Sequence, residues 1–150
     1  MYTRYQSLID SQTDSVFLFG ARQTGKSILL RSLFPKTIYI DLLETDTQRR
    51  FRAQPSLLRD VLNGYPDNSL VIIDEIQQVP ELLNEVHLLI SRKQMRFVLC
   101  GSSARKLKRQ GVNTLGGRAL PEQLYPLVSN EIPDFEPFEN TDVDMLAMLQ

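Results

Sequence analysis

Residues 20–27 read Gly-Ala-Arg-Gln-Thr-Gly-Lys-Ser, and no other stretch of the 150-residue chain constrains its fold as tightly. Two glycines separated by four residues let the backbone curl so that successive N–H groups face a common concavity, which attracts an anion. Lys26 adds a compact positive charge there, and Ser27 opens a helix whose N-terminus carries partial charge of the same sign. The product is a cradle for phosphate oxygens. It is built from the main chain of Gly20, Ala21, Arg22, Gln23, Thr24, Gly25, Lys26, Ser27 and Ile28, with the Ser27 hydroxyl placed to ligate Mg²⁺.

Such a cradle needs a strand leading in and a helix leading out. Residues 16–19, Val-Phe-Leu-Phe, are a short apolar run of strand formers. Ile28, Leu29, Leu30, Leu33 and Phe34 continue on the far side with helical spacing until Pro35 stops them. Residues 37–41, Thr-Ile-Tyr-Ile-Asp, read as a second strand. Over residues 42–64 the pattern is helical: Pro55 starts a new turn, and Leu57, Leu58, Val61 and Leu62 make an apolar face. Arg49, Arg50 and Arg52 lie on a polar stretch that reads as solvated rather than as a binding patch.

Residues 70–75, Leu-Val-Ile-Ile-Asp-Glu, carry the second chemical signal. Four successive apolar residues fit a strand covered on both faces, as in a parallel sheet, and such sheets bind ligands at the C-terminal ends of their strands. Asp74 is therefore expected to face the Mg²⁺ held by Ser27, and Glu75 to orient and deprotonate an attacking water. Pro80 and Glu81 begin a helix with apolar residues at 82, 83, 86, 89 and 90. His87, the sole histidine, lies beside that stripe without a companion ligand and reads as a packed or surface residue.

Residues 96–101 form the next buried strand, in which the single cysteine, Cys100, reads as a small buried hydrophobe and leaves no disulfide framework. Ser102 and Ser103 at its end can hydrogen-bond a γ-phosphate or a lytic water, or cap the helix that follows; the two readings are compatible. The basic run at 105–109 lacks interleaved aromatics and reads as a solvated helix before a nucleic-acid contact. Arg118, after two glycines, either neutralises charge on a γ-phosphate of its own or a neighbouring subunit or pairs with an acid. Residues 119–128 make the last strand, held to an edge or to strand ends by Pro121 and Pro126.

Charge is unevenly spread. All 17 Lys and Arg lie at or before Arg118 with 11 of the 18 acids, a surplus of six positive charges that suits a polyphosphate; seven acids follow with no base. That acidic end either packs on the basic part or is a solvated linker. Residues 2–10 have the spacing of a short docking helix, and the N-terminus lacks the layout of a signal peptide. No run approaches the roughly 20 apolar residues that span a bilayer, so a cytoplasmic setting without membrane contact is expected.

Three segments, GARQTGKS, VIIDEIQQVPELLNEVHLLI and RFVLCGSSARKLKRQGVNTLGGRAL, together resemble the prokaryotic AAA-type P-loop ATPases that usually carry a C-terminal domain of unknown function. The likeness covers about residues 12–130. It implies a Walker A motif at 20–27, a Walker B aspartate at Asp74 with a catalytic glutamate at Glu75, and a sensor-like residue at Ser102 or Ser103. Arg118 matches the arginine of the family's GGRA segment.

The expected fold is α/β: a three-layer α/β/α P-loop NTPase with a mainly parallel five-stranded sheet, of the type with an additional strand between the phosphate-loop and Walker B strands. Residues 1–128 would form the ATPase domain and 129–150 an acidic linker or the start of a truncated C-terminal domain. The expected activity is Mg²⁺-dependent ATP binding and hydrolysis at the β–γ phosphoanhydride, coupled to a protein partner, self-association or the C-terminal domain. Lys26, Glu75, Ser102 and Arg118 would be the catalytic groups. A nucleotide-controlled switch for a protein or DNA partner, with little turnover, is the alternative. A small-molecule kinase fits less well, because nothing resembles a lid or acceptor pocket.

Overall fold

The computed structural model describes residues 15–20, 25–102, 105 and 119–123. The chain enters on β1 (Ser15–Phe19) and turns into α1 (Lys26–Leu33). β2 (Ile38–Asp41), α2 (Thr45–Ala53), α3 (Leu57–Leu62) and β3 (Leu70–Asp74) follow. A 3₁₀ turn at Ile76–Gln78 leads to α4 (Leu82–Lys93), β4 (Arg96–Gly101) and β5 (Ala119–Gln123). All strand pairings are parallel, in the order β2-β3-β4-β1-β5. β4 thus lies between β1 and β3, which is the additional strand anticipated from the sequence.

The central strands are apolar on both faces because both faces are covered. Alternate residues point opposite ways. Phe17, Ile40, Val71, Ile73, Phe97 and Leu99 pack with Phe51 of α2, Leu58 and Leu62 of α3, and Leu82, Val86 and Leu89 of α4. Leu18, Ile72, Val98 and Cys100 pack on Leu29 and Leu30 of α1. The three layers follow from that alternation. Among the described strands β5 pairs only with β1, so Pro121, opposite Phe17, interrupts no second ladder there.

Local departures from the sequence expectation have local causes. The 42–64 stretch splits into two helices at Gln54, and α3 is short enough that its buried stripe is only Leu58 and Leu62, four residues apart. Val61, expected on the apolar face, is 40% exposed. Thr37 donates its N–H to the Phe34 carbonyl and stays in the turn, leaving β2 to begin at Ile38. α4 begins at Leu82, since Leu82 and Leu83 bond back to Val79 and Pro80 across three residues and keep the first turn tight. Among the described residues no helix is long and apolar enough to cross a membrane.

The buried strands carry the stability. Phe97→Ala, at a fully buried position between β1-side and α4-side neighbours, is expected to cost about 3–5 kcal/mol in urea denaturation. Leu43→Ala, whose side chain is 57% exposed, should stay within about 0.5 kcal/mol of the parent.

Candidate functional site

The parallel register brings the C-terminal ends of β1, β3 and β4 to one rim: Phe19 lies opposite Gly101, and Asp41 opposite Asp74. Gly20 leaves β1 by donating its N–H to the Gly101 carbonyl at 3.3 Å. Gly25 re-enters the described chain at φ 79°, a left-handed conformation that glycine adopts without a Cβ clash, and its carbonyl accepts the first helical bond from Leu29 at 2.9 Å. α1 starts with no side-chain cap and no acid in its first turn, so its N-terminal partial charge is not offset by its own side chains.

Lys26 is only 6% exposed, and its Nζ donates to the Gly20 carbonyl oxygen at 2.6 Å. A buried ammonium must be hydrogen-bonded, and this contact draws the two ends of the glycine loop together.

Ser27, next along α1, donates its hydroxyl to Asp74 Oδ2 at 2.7 Å across 47 residues of sequence. The strand period explains the meeting. Asp74 lies two residues beyond Ile72, which packs toward Leu29 and Leu30 of α1, so the carboxylate at the strand's end faces the same helix.

A third group joins them. Tyr39 of β2 donates its phenol to the same Asp74 oxygen, and the Arg31 guanidinium sits 4.2 Å from the centre of its ring. Burial and, next, the bond to Asp74 push the phenol's pKa well above its ordinary value, while the Ser27 bond works the other way. Sequence reasoning missed Tyr39. The signal was present in the alternation of β2, where Tyr39 shares a face with the residues that pack on α1, but strand formers rarely advertise a polar role.

Glu75 follows Asp74 at φ 58° and ψ 49° and is 8% exposed. Its Oε2 accepts a hydrogen bond from Nε2 of Gln77, itself 8% exposed. Gln77 Oε1 finds no donor among the described residues, and a Cβ added to Gly101 would lie 3.1 Å from it. Outside, Gln78 fastens the same turn to α2: its Oε1 accepts from Gln48 at 2.9 Å and its carbonyl from Arg52 at 2.8 Å. The Ser102 hydroxyl, at the end of β4, is buried with no hydrogen-bond partner among the described residues. Cys100 is fully buried, and burial, then the Asp74 charge, raises its thiol pKa well above the usual range, so it remains a neutral packing residue.

Lys26, Ser27, Asp74, Glu75 and Ser102 are therefore placed along one rim. Ala21, Arg22, Gln23, Thr24, Ser103 and Arg118 lie outside the described residues, as do residues 2–10 and 129–150, and Arg105 is the one described member of the basic run. Ile28 exposes 65% of its surface, so any part it has in the cradle belongs to its main chain. A hydroxyl and a carboxylate held against each other are hard oxygen donors, the kind Mg²⁺ takes.

A family model described as the AAA domain matches residues 12–133. Two uncharacterized proteins, one of Mycobacterium bovis and one of Mycobacterium tuberculosis, are each 30% identical over 122 residues, covering 78% of this chain and 26% of theirs. The chain thus spans about a quarter of the length of these curated relatives. Among solved structures, the Orc1 protein of Aeropyrum pernix in complex with DNA aligns with a TM-score of 0.53 at 17% identity, over 81% of this chain and 42% of that one. At that identity the likeness is one of fold.

Tyr39→Phe removes one donor from a buried carboxylate and is expected to lower stability by about 1–2 kcal/mol at neutral pH. Because the native phenol holds its proton more tightly than the unfolded one, its contribution is complete below about pH 10 and is lost as pH rises above that. Urea titrations should show a constant gap between parent and variant up to about pH 9 that narrows beyond pH 10.

Proposed function

The chain belongs to the AAA domain family, with a P-loop domain of the nucleotide-binding ATPase type, and from that premise we propose that it binds Mg·ATP and hydrolyses it by in-line attack of water. The observation that carries the proposal is the Ser27–Asp74 contact, which brings the start of the loop helix and the end of β3 within 2.7 Å at the sheet's rim.

In this reading the main chain from Gly20 to Ile28, including Ala21, Arg22, Gln23, Thr24 and Gly25, surrounds the phosphates. Lys26 exchanges its bond to the Gly20 carbonyl for phosphate oxygens and offsets their charge. Ser27 and Asp74 hold Mg²⁺, which when bound neutralises the β- and γ-phosphate oxygens. Tyr39 keeps Asp74 oriented for that task. Glu75 takes a proton from the attacking water, and the Ser102 hydroxyl, without a partner among the described residues, supplies a hydrogen bond to the γ-phosphate or the water. Arg118 adds positive charge from the same or a neighbouring subunit.

Coupling to a partner belongs to the same proposal. The chain covers 26% of its curated relatives, so the rest of such a protein has room to select what the nucleotide cycle acts on. A protein partner or self-association fits this best. The DNA in the Orc1 complex raises nucleic acid as a further candidate, to which the 105–109 run could contribute.

Calorimetry and phosphate-release assays test the proposal together. The parent should bind Mg·ATP, and Lys26→Ala should abolish the heat of binding. Glu75→Gln should keep nucleotide binding while lowering kcat by about a hundredfold or more. Absence of binding by the folded parent overturns the whole reading. Unchanged turnover in Glu75→Gln removes the base, and tight binding without phosphate release by the parent identifies a nucleotide-controlled switch instead.

A further inference from the structure

We propose that Gln77 is a positioning residue that fixes the Glu75 carboxylate, an inference that rests on the role given to Glu75 above. Three observations carry it. The first is how Gln77 uses its polar atoms. The residue is 8% exposed, its Nε2 donates to Glu75 Oε2, and its Oε1 has no partner among the described residues. A buried acceptor without a donor is destabilising, so an amide serves the fold here less well than an apolar side chain of the same size would. The retained hydrogen bond goes to the carboxylate.

The second is the neighbour. Gln78 supplies the anchoring that the turn needs, through Gln48 and Arg52 of α2, and this leaves Gln77 without a structural task of that kind. Adjacent glutamines thus face opposite ways, one into the rim and one out to a helix.

The third is the fit against β4. A Cβ added at Gly101 would lie 3.1 Å from Gln77 Oε1, so the amide sits close to the strand end on one side and bonds Glu75 on the other. A side chain placed in this way restricts the rotamers open to the carboxylate it holds. A carboxylate has about four lone-pair positions, so one bond from Gln77 leaves acceptor capacity for a water. Fixing the base before the water arrives removes an orientational cost from the reaction, and misplacing it by an ångström costs up to about a hundredfold in rate.

Gln77→Met keeps the length and volume and removes the donor. In the full chain it is expected to lower kcat for phosphate release about ten- to a hundredfold with KM for ATP unchanged. Added to Glu75→Gln, it should cause no further loss, because both act through one group. Parental kcat in Gln77→Met, or an equal additional loss on the Glu75→Gln background, overturns the proposal. Parental turnover in Glu75→Gln itself would instead remove the base role, a failure distinguishable from the first.

A readout independent of hydrolysis is the side-chain amide of Gln77 in nitrogen-15 spectra. Glu75→Ala should shift that resonance and speed its exchange with water. An unmoved signal overturns the contact even where no turnover can be measured.

Discussion

One carboxylate oxygen of Asp74 accepts hydroxyls from Ser27 and Tyr39, and this junction ties the first turn of α1 to the end of β3 and the middle of β2. An ionised carboxylate that is 4% exposed would cost several kcal/mol if left unpaired. The pairing depends on the sheet. A slip of one residue in β3 would turn Asp74 toward the layer of Ile73, Leu82 and Val86, where the described neighbours are apolar, and would leave Ser27 without it. Parallel register is therefore a requirement of the site as much as of the core.

The cost of burying polar groups is concentrated where the chemistry would be. Of the buried polar and charged residues described, Lys26, Asp74, Glu75 and Gln77 all lie at the C-terminal rim. The remaining one, Ser15, sits at the opposite end of β1 and accepts the Phe97 N–H at 3.0 Å, closing the gap between two strands. The rest of the interior is apolar on both faces of the sheet. Stability alone favours such groups at the surface; here they collect at one edge, beside the apolar clusters of both faces.

Much of this was legible in the sequence because it is written in local patterns. The glycine loop between an apolar strand and a helix, the apolar run ending in Asp74, and the strand that follows α4 each read from a few adjacent residues, and the additional strand expected between the glycine-loop strand and the strand ending in Asp74 is β4, between β1 and β3. Of the two places that Pro121 allowed the last strand, an edge or a strand end, it takes the edge of the described sheet. What failed to read depends on distance or on backbone conformation. Tyr39 looks like any aromatic in a strand until Asp74, 35 residues later, is brought beside it. Val61 has the right spacing for an apolar face, but in the six-residue α3 only Leu58 and Leu62 are buried and Val61 is 40% exposed. Gln77 folds back on Glu75 only because Glu75 takes a left-handed conformation, which no glycine or asparagine announces.

That conformation carries a cost of its own. A non-glycine residue at φ 58° costs about 1–2 kcal/mol relative to an ordinary backbone. Glycine would remove the strain, so a carboxylate there is bought with stability. The turn is held against that strain from several sides. Gln78 donates its N–H to the Glu75 carbonyl at 2.9 Å, and Ile76 is fully buried against β4 and α4 neighbours. Gln48 and Arg52 grip Gln78 from α2. A loop free to relax would return Glu75 to a commoner conformation and swing its side chain away from the rim. These contacts prevent it, and they leave the exposed helix α2 joined by two hydrogen bonds to the turn on which Glu75 is carried.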